Sequence, residues 1–164
     1  MRKSYQVALG GILAALAVVV MMLGGFIPVA TYISPMLCAV LLLFIKNLCG
    51  TKIGWTWYFL VCLLSLLFSP DKEAAGVFVA LGYYPMIQSL FEKSKLSFLW
   101  KILYFNLSSG ILYLLLMYLF GMEQLLLEFQ ELGIIGLIVI LLLGNISFVL
   151  LDKLLHLVKM KFMK

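Results

Sequence analysis

Six apolar runs separated by short polar turns leave this 164-residue chain very few folds to choose from. They cover about 5–23, 35–45, 53–68, 74–91, 96–120 and 133–151. A bilayer-crossing helix needs roughly 20 mostly apolar residues, because lipid offers no partner for a peptide group outside a helix or closed barrel. Hydrophobic residues make up 65% of the chain and charged ones 12%, with a mean hydropathy of +1.18. A soluble domain is nearer half apolar and a quarter charged. The sequence therefore predicts an all-α integral membrane protein. A single domain of six transmembrane helices fills residues 1–164 and leaves no room for a separate soluble domain.

The charges sort themselves by this count. Six helices put both termini on one side. That side receives Arg2, Lys3, Lys46, Lys52, Lys93, Lys95, Lys101, Lys153, Lys159, Lys161 and Lys164, which is eleven of the twelve basic residues. Only Lys72 lies opposite, with Asp71, Glu73, Glu123, Glu128 and Glu131; Glu92 and Asp152 join the lysines. Basic residues collect in cytoplasmic loops, so both ends are expected in the cytoplasm and the protein is expected to be multi-pass in the cytoplasmic membrane. An odd helix count would scramble the partition. The net charge of +5 is thus a topology signal, and no nucleic-acid partner is expected. Met1-Arg2-Lys3 ahead of an apolar run that contains Ala15-Leu16-Ala17 imitates a cleavable leader. More spans follow, and the cut would fall inside the run, so the run is read as the first span.

Punctuation between the runs is clear. Gly24-Gly25 ends the first helix, and the stretch to Pro35, with Pro28, Thr31, Tyr32 and Ser34, reads as an irregular apolar loop. Trp55, Trp57 and Tyr58 open the third helix at interface depth. Pro85 in Gly82-Tyr83-Tyr84-Pro85 should kink the fourth. Residues 121–132 hold Glu123, Glu128 and Glu131 among leucines and read as an amphipathic surface helix or a loop on the bilayer.

Little in the chain suggests catalysis. His156 is the only histidine and sits among lysines beyond the sixth helix. Cys38, Cys49 and Cys62 form no C-x-x-C pair and read as small apolar residues or free thiols. No metal-ligand spacing, phosphate loop or nucleophile elbow is present, so no enzyme, metal or cofactor is expected. No carboxylate lies near mid-membrane, where a self-powered transporter would need one. Asn106 and Asn145 fall at similar depth, about 7.5 and 10.5 Å in from the cytoplasmic end of consecutive helices. Helix-to-helix glue is their first reading, and solute contact the alternative. On the outer side Thr31, Tyr32, Asp71, Lys72, Glu73, Phe78, Tyr113 and Glu123 should meet. An aromatic cavity with charges at its rim suits a small molecule. Solvated loops above an interfacial aromatic belt would look the same.

The first helix carries the most pointed feature. In Ala8-Leu-Gly-Gly-Ile-Leu-Ala-Ala-Leu-Ala17, Gly10/Ala14 and Gly11/Ala15 are spaced four apart and share a helix face. Small residues at that spacing let a second helix approach closely in lipid. The layout resembles the S components of energy-coupling factor (ECF) transporters, which capture vitamins and micronutrients. In that family an Ala-x-x-x-Ala motif on helix 1 docks onto a transmembrane coupling protein driven by two ATPases. Here Gly10, Gly11, Ala14 and Ala15 fill that role. The resemblance implies outer-side capture of a solute by helices 4 to 6 and the loops after helices 1, 3 and 5. The rival is a non-catalytic scaffold of the rod-shape-determining MreD type, which binds other membrane proteins and no solute. A small autonomous transporter is disfavoured by the missing mid-membrane charge.

Overall fold

The computed structural model describes residues 3–24, 26, 30–92, 96–119 and 123–162, without the side chains of 119, 123–132, 137 and 162. The helices are α1 (Lys3–Gly24), α2 (Ala30–Cys49), α3 (Thr51–Phe68), α4 (Lys72–Leu81), α5 (Tyr84–Phe91), α6 (Ser97–Leu119) and α7 (Glu123–Phe162). No strand occurs among the described residues. Among the described residues six segments are long and apolar enough to cross a membrane, α4 and α5 counting together as one. The chain is a multi-pass membrane protein by that measure.

Several boundaries shift from the sequence expectation. The second helix begins at Ala30, not near Pro35, so Thr31 and Tyr32 stand on its first turn rather than in a loop. Pro35 lies inside the helix and forfeits only the bond to the Thr31 carbonyl, close to the helix start. The helix also runs on through Lys46 to Cys49. Gly50 then separates α2 from α3 by itself; its φ of 93° is open to glycine and strained for any other residue. The last span extends further than expected. Gly133, with φ 60° and ψ −175°, interrupts the helix begun at Glu123. The span from Gly133 to Lys161 has 29 residues. At 1.5 Å per residue it is about 43 Å long, against roughly 30 Å of hydrocarbon, so the basic segment projects as helix.

The fourth span breaks where its proline predicts. Asp71 caps α4, its Oδ1 accepting from the Ala74 N–H at 2.9 Å. The helix stops at Leu81, four residues before Pro85, because Pro85 has no N–H for the Leu81 carbonyl. Neighbours take up the carbonyls just before the bend. The Tyr58 hydroxyl donates to Val79 O at 2.6 Å, and Tyr104 donates to Ala80 O at 3.4 Å. From the far side, Lys46 Nζ donates to Pro85 O at 2.7 Å.

Packing is uneven. The core gathers α1 to α4 around buried Met21, Leu42, Ile45, Trp57, Val61 and Phe78. A second cluster joins Leu43 and Tyr84 to Phe148, Leu151 and Leu155 of α7. Over half of the α4–α5 span is buried, against 11% of α6 and 12% of the last span. The two last helices thus form a flank whose apolar side chains face outward.

The small-residue strip of α1 is divided by this packing. Ala14, Ala17, Met21 and Gly24 are buried at helical spacing and form the inward face. At its end α2 comes so close that a Cβ on Gly24 would meet the Ser34 side chain. Gly10 is half-buried, and its carbonyl accepts the Trp57 indole N–H at 3.1 Å. Ala8, Gly11 and Ala15 are exposed on the other side, and nothing lies within 4 Å of where a Gly11 Cβ would stand. Ala14→Leu should therefore lower stability by about 1–3 kcal/mol through overpacking. Gly11→Leu should leave the unfolding temperature in detergent unchanged.

Candidate functional site

The polar groups sort to two ends of the helix bundle. At the first, α2 meets the start of α4 and the far part of α6. Thr31 Oγ1 donates to Asp71 Oδ2 at 2.7 Å. The hydroxyls of Tyr32 and Tyr113 each donate to Glu73 Oε1 at 2.9 Å and stand 3.1 Å apart. Five of the residues expected to meet here, Thr31, Tyr32, Asp71, Glu73 and Tyr113, do so. They meet as two small hydrogen-bonded groups satisfied by one another.

The other expected members lie elsewhere. Lys72 turns back and donates to Leu66 O at 2.8 Å, capping the end of α3. Phe78 is fully buried against Tyr58, ring centroids 5.7 Å apart, so it belongs to the core. The Glu123 side chain lies outside the described residues.

Asn106 and Asn145 form a reciprocal pair between α6 and α7. Asn106 Nδ2 donates to Asn145 Oδ1 at 3.2 Å, and Asn145 Nδ2 returns the bond at 3.0 Å. Each amide also donates to the carbonyl one turn back, Ile102 O at 2.9 Å and Leu141 O at 2.8 Å. Both N–H donors of each amide are thereby used. The geometry is that of helix-to-helix glue. A double-mutant cycle with Asn106→Leu and Asn145→Leu should give a coupling of about 0.6–1.7 kcal/mol by thermal unfolding in detergent.

The opposite end holds a cluster that sequence reading treated only as charges to be counted. Asp152 of α7 is its centre. Oδ2 receives Lys101 Nζ from α6 at 2.7 Å. Oδ1 receives the Tyr84 hydroxyl at 2.6 Å and Gln88 Nε2 at 2.9 Å, both from α5. Gln88 is buried, and the aromatic rings of Phe91, Tyr104 and Phe148 pack around Tyr84. One and two turns of α7 further on, His156 and Lys159 reach Glu92, with Nδ1 at 3.5 Å and Nζ donating at 2.9 Å. Partial burial works to raise the Glu92 carboxyl, but the Lys159 hydrogen bond and charge, helped by His156, outweigh it and hold it below its ordinary value. A signal for this cluster was present: Lys101 near the start of one span and Asp152 near the end of the next fall at one depth.

Beside these ion pairs a cavity of about 410 Å³ opens, lined by Glu92, Lys101, Asp152, Lys153, His156 and Leu157. Among the described residues no three His, Cys, Asp or Glu side chains converge as metal ligands would. Cys38, Cys49 and Cys62 are buried as free thiols. Comparison of the chain with protein-family models, with curated proteins and with solved structures finds no match in any of the three.

Proposed function

We propose that this protein is a motorless docking subunit of the cytoplasmic membrane, an S component that hands a captured micronutrient to an ECF-type importer. Both termini face the cytoplasm on this reading, in keeping with eleven of the twelve basic residues falling on their side. The observation that carries the reading is the exposed half of the α1 strip. Gly11 and Ala15 form a flat, uncovered face on a helix whose other face is packed inward. In lipid such a face gains by van der Waals contact with a second helix. Ala14 is committed to the interior, so the docking face is narrower than the four-residue strip and centres on Gly11 and Ala15. The partner is a transmembrane coupling protein carrying two ATPase subunits. Solute enters from the end that holds Tyr32, Glu73 and Tyr113.

Gly11→Leu and Ala15→Leu should abolish co-purification with the coupling protein at unchanged stability of the subunit itself. Full co-purification of both variants would refute the docking reading.

One observation favours a scaffold instead: the polar side chains of Thr31, Tyr32, Asp71, Glu73 and Tyr113 bond to one another. A scaffold would use the same α1 face and hold no solute. Native mass spectrometry of the purified complex separates the two. A small molecule retained in stoichiometric amount supports capture, and its absence with the partner still bound supports the scaffold.

A further inference from the structure

The cavity beside Asp152 is set at a border. Lys101 lies within the first turns of α6, and Asp152 lies where α7 begins to run beyond hydrocarbon length. Leu157 on its wall heads an exposed apolar stripe, Leu154, Leu150, Ile146 and Leu143, that descends one face of α7. Trp100 of α6 is exposed at the same level, where an amphipathic ring suits the interface.

Its charges are unevenly partnered. Asp152 is already met by Lys101, Tyr84 and Gln88, and Glu92 by Lys159 and His156. Lys153 lines the cavity, is exposed, and pairs with no described residue. Two ammonium groups and two carboxylates thus line the cavity; both carboxylates and Lys101 have partners, and Lys153 is left over. A cationic guest would find no free carboxylate here, whereas an anion finds Lys153.

We propose that this cavity holds the phosphate-bearing headgroup of an anionic phospholipid, with Lys153 as its principal ligand and the acyl chains lying along the α7 stripe. Phosphate chemistry alone would admit a soluble phosphate too. The apolar wall and the stripe that continues it favour the lipid, because they offer the chains a path that a soluble anion would leave empty. The site is independent of the docking face on α1.

The test uses the full chain in detergent micelles, titrated with phosphatidylglycerol or phosphatidylcholine and read by native mass spectrometry. Phosphatidylglycerol should be retained in preference to phosphatidylcholine. Lys153→Gln should reduce that preference about fivefold, the worth of one lysine near a membrane surface. Lys161→Gln, two turns further along α7, should leave it unchanged. Lys153 is exposed, so the variant should keep the unfolding temperature of the wild type, and that is measured alongside. Equal retention of the two lipids, or a preference untouched by Lys153→Gln, would overturn the proposal. So would full displacement of the lipid by millimolar inorganic phosphate, which would mark a site for soluble anions.

Discussion

Asp152→Ala should destabilise the protein by about 2–3 kcal/mol, the largest effect expected of any single substitution away from the apolar core. The reason is what the carboxylate leaves behind. Lys101 and Asp152 side chains are 14% and 18% exposed and line the cavity, so water replaces only part of the counter-charge the ammonium would lose. Tyr84, buried, would lose its acceptor in the same step, and buried Gln88 would keep only the Asp152 carbonyl oxygen at 3.3 Å. Three helices meet at this one side chain: α5 through Tyr84 and Gln88, α6 through Lys101, and α7 itself. The loss should therefore appear as detachment of α6 and α7, the least buried spans, before the rest melts. Thermal unfolding in detergent reads the stability, and proteolysis of the α6–α7 flank reads the order. The double variant Lys101→Met/Asp152→Leu should recover part of the loss, since it removes both charges and leaves neither stranded. A double variant no better than Asp152→Ala alone would mean that the hydrogen bonds to α5 matter more than the ion pair.

Gly82→Ala is the second large expectation. A Cβ at Gly82 would press on the Phe78 carbonyl and stand 2.5 and 2.6 Å from the Phe78 ring. Phe78 is fully buried against Tyr58, so neither the ring nor the helix backbone has room to retreat. Overpacking of this kind costs about 1–3 kcal/mol, and a clash with backbone belongs at the upper end. The bend at Gly82–Tyr83 would have to open, drawing the Val79 and Ala80 carbonyls away from Tyr58 and Tyr104. The variant should unfold at a lower temperature and show altered near-ultraviolet signals from those tyrosines. Gly110→Ala on α6, where nothing lies within 4 Å, is the matched substitution that should change neither.

Apolar periodicity and charge placement carried much of this architecture at the level of sequence. The six spans followed from the runs themselves, since in lipid the backbone has no alternative to a helix. The separation of Asp71 and Glu73 from Lys46, Lys101 and Lys159 followed from the span count. The Asn106–Asn145 pair was within reach of the sequence because the two amides fall at similar depth on consecutive helices and suit one another as partners. Rotation about a helix axis was less legible. Gly10, Gly11, Ala14 and Ala15 look alike in sequence, and only packing reveals that Ala14 turns inward while Gly11 and Ala15 turn out. Phe78 was misplaced for the same reason: its depth was readable but its facing was not. The start of α2 was hidden because Pro35 and the preceding prolines imitate a loop, although a proline near a helix start costs only one bond. The Asp152 cluster is hidden in the sequence because lysines and carboxylates near span ends also mark topology, and depth does not show which of them meet.

The central claim is that a separate membrane protein covers the Gly11–Ala15 face of α1. Its most direct test is single-cysteine cross-linking in native membranes. The three native cysteines are buried, so Gly11→Cys and Ala15→Cys would each present one accessible thiol. Both positions should cross-link to one and the same polypeptide, identified by its peptides as a transmembrane coupling protein that carries ATPase subunits. Leu142→Cys, on the exposed flank of α7, should not. Absence of product from positions 11 and 15, or equal product from all three, would contradict the account.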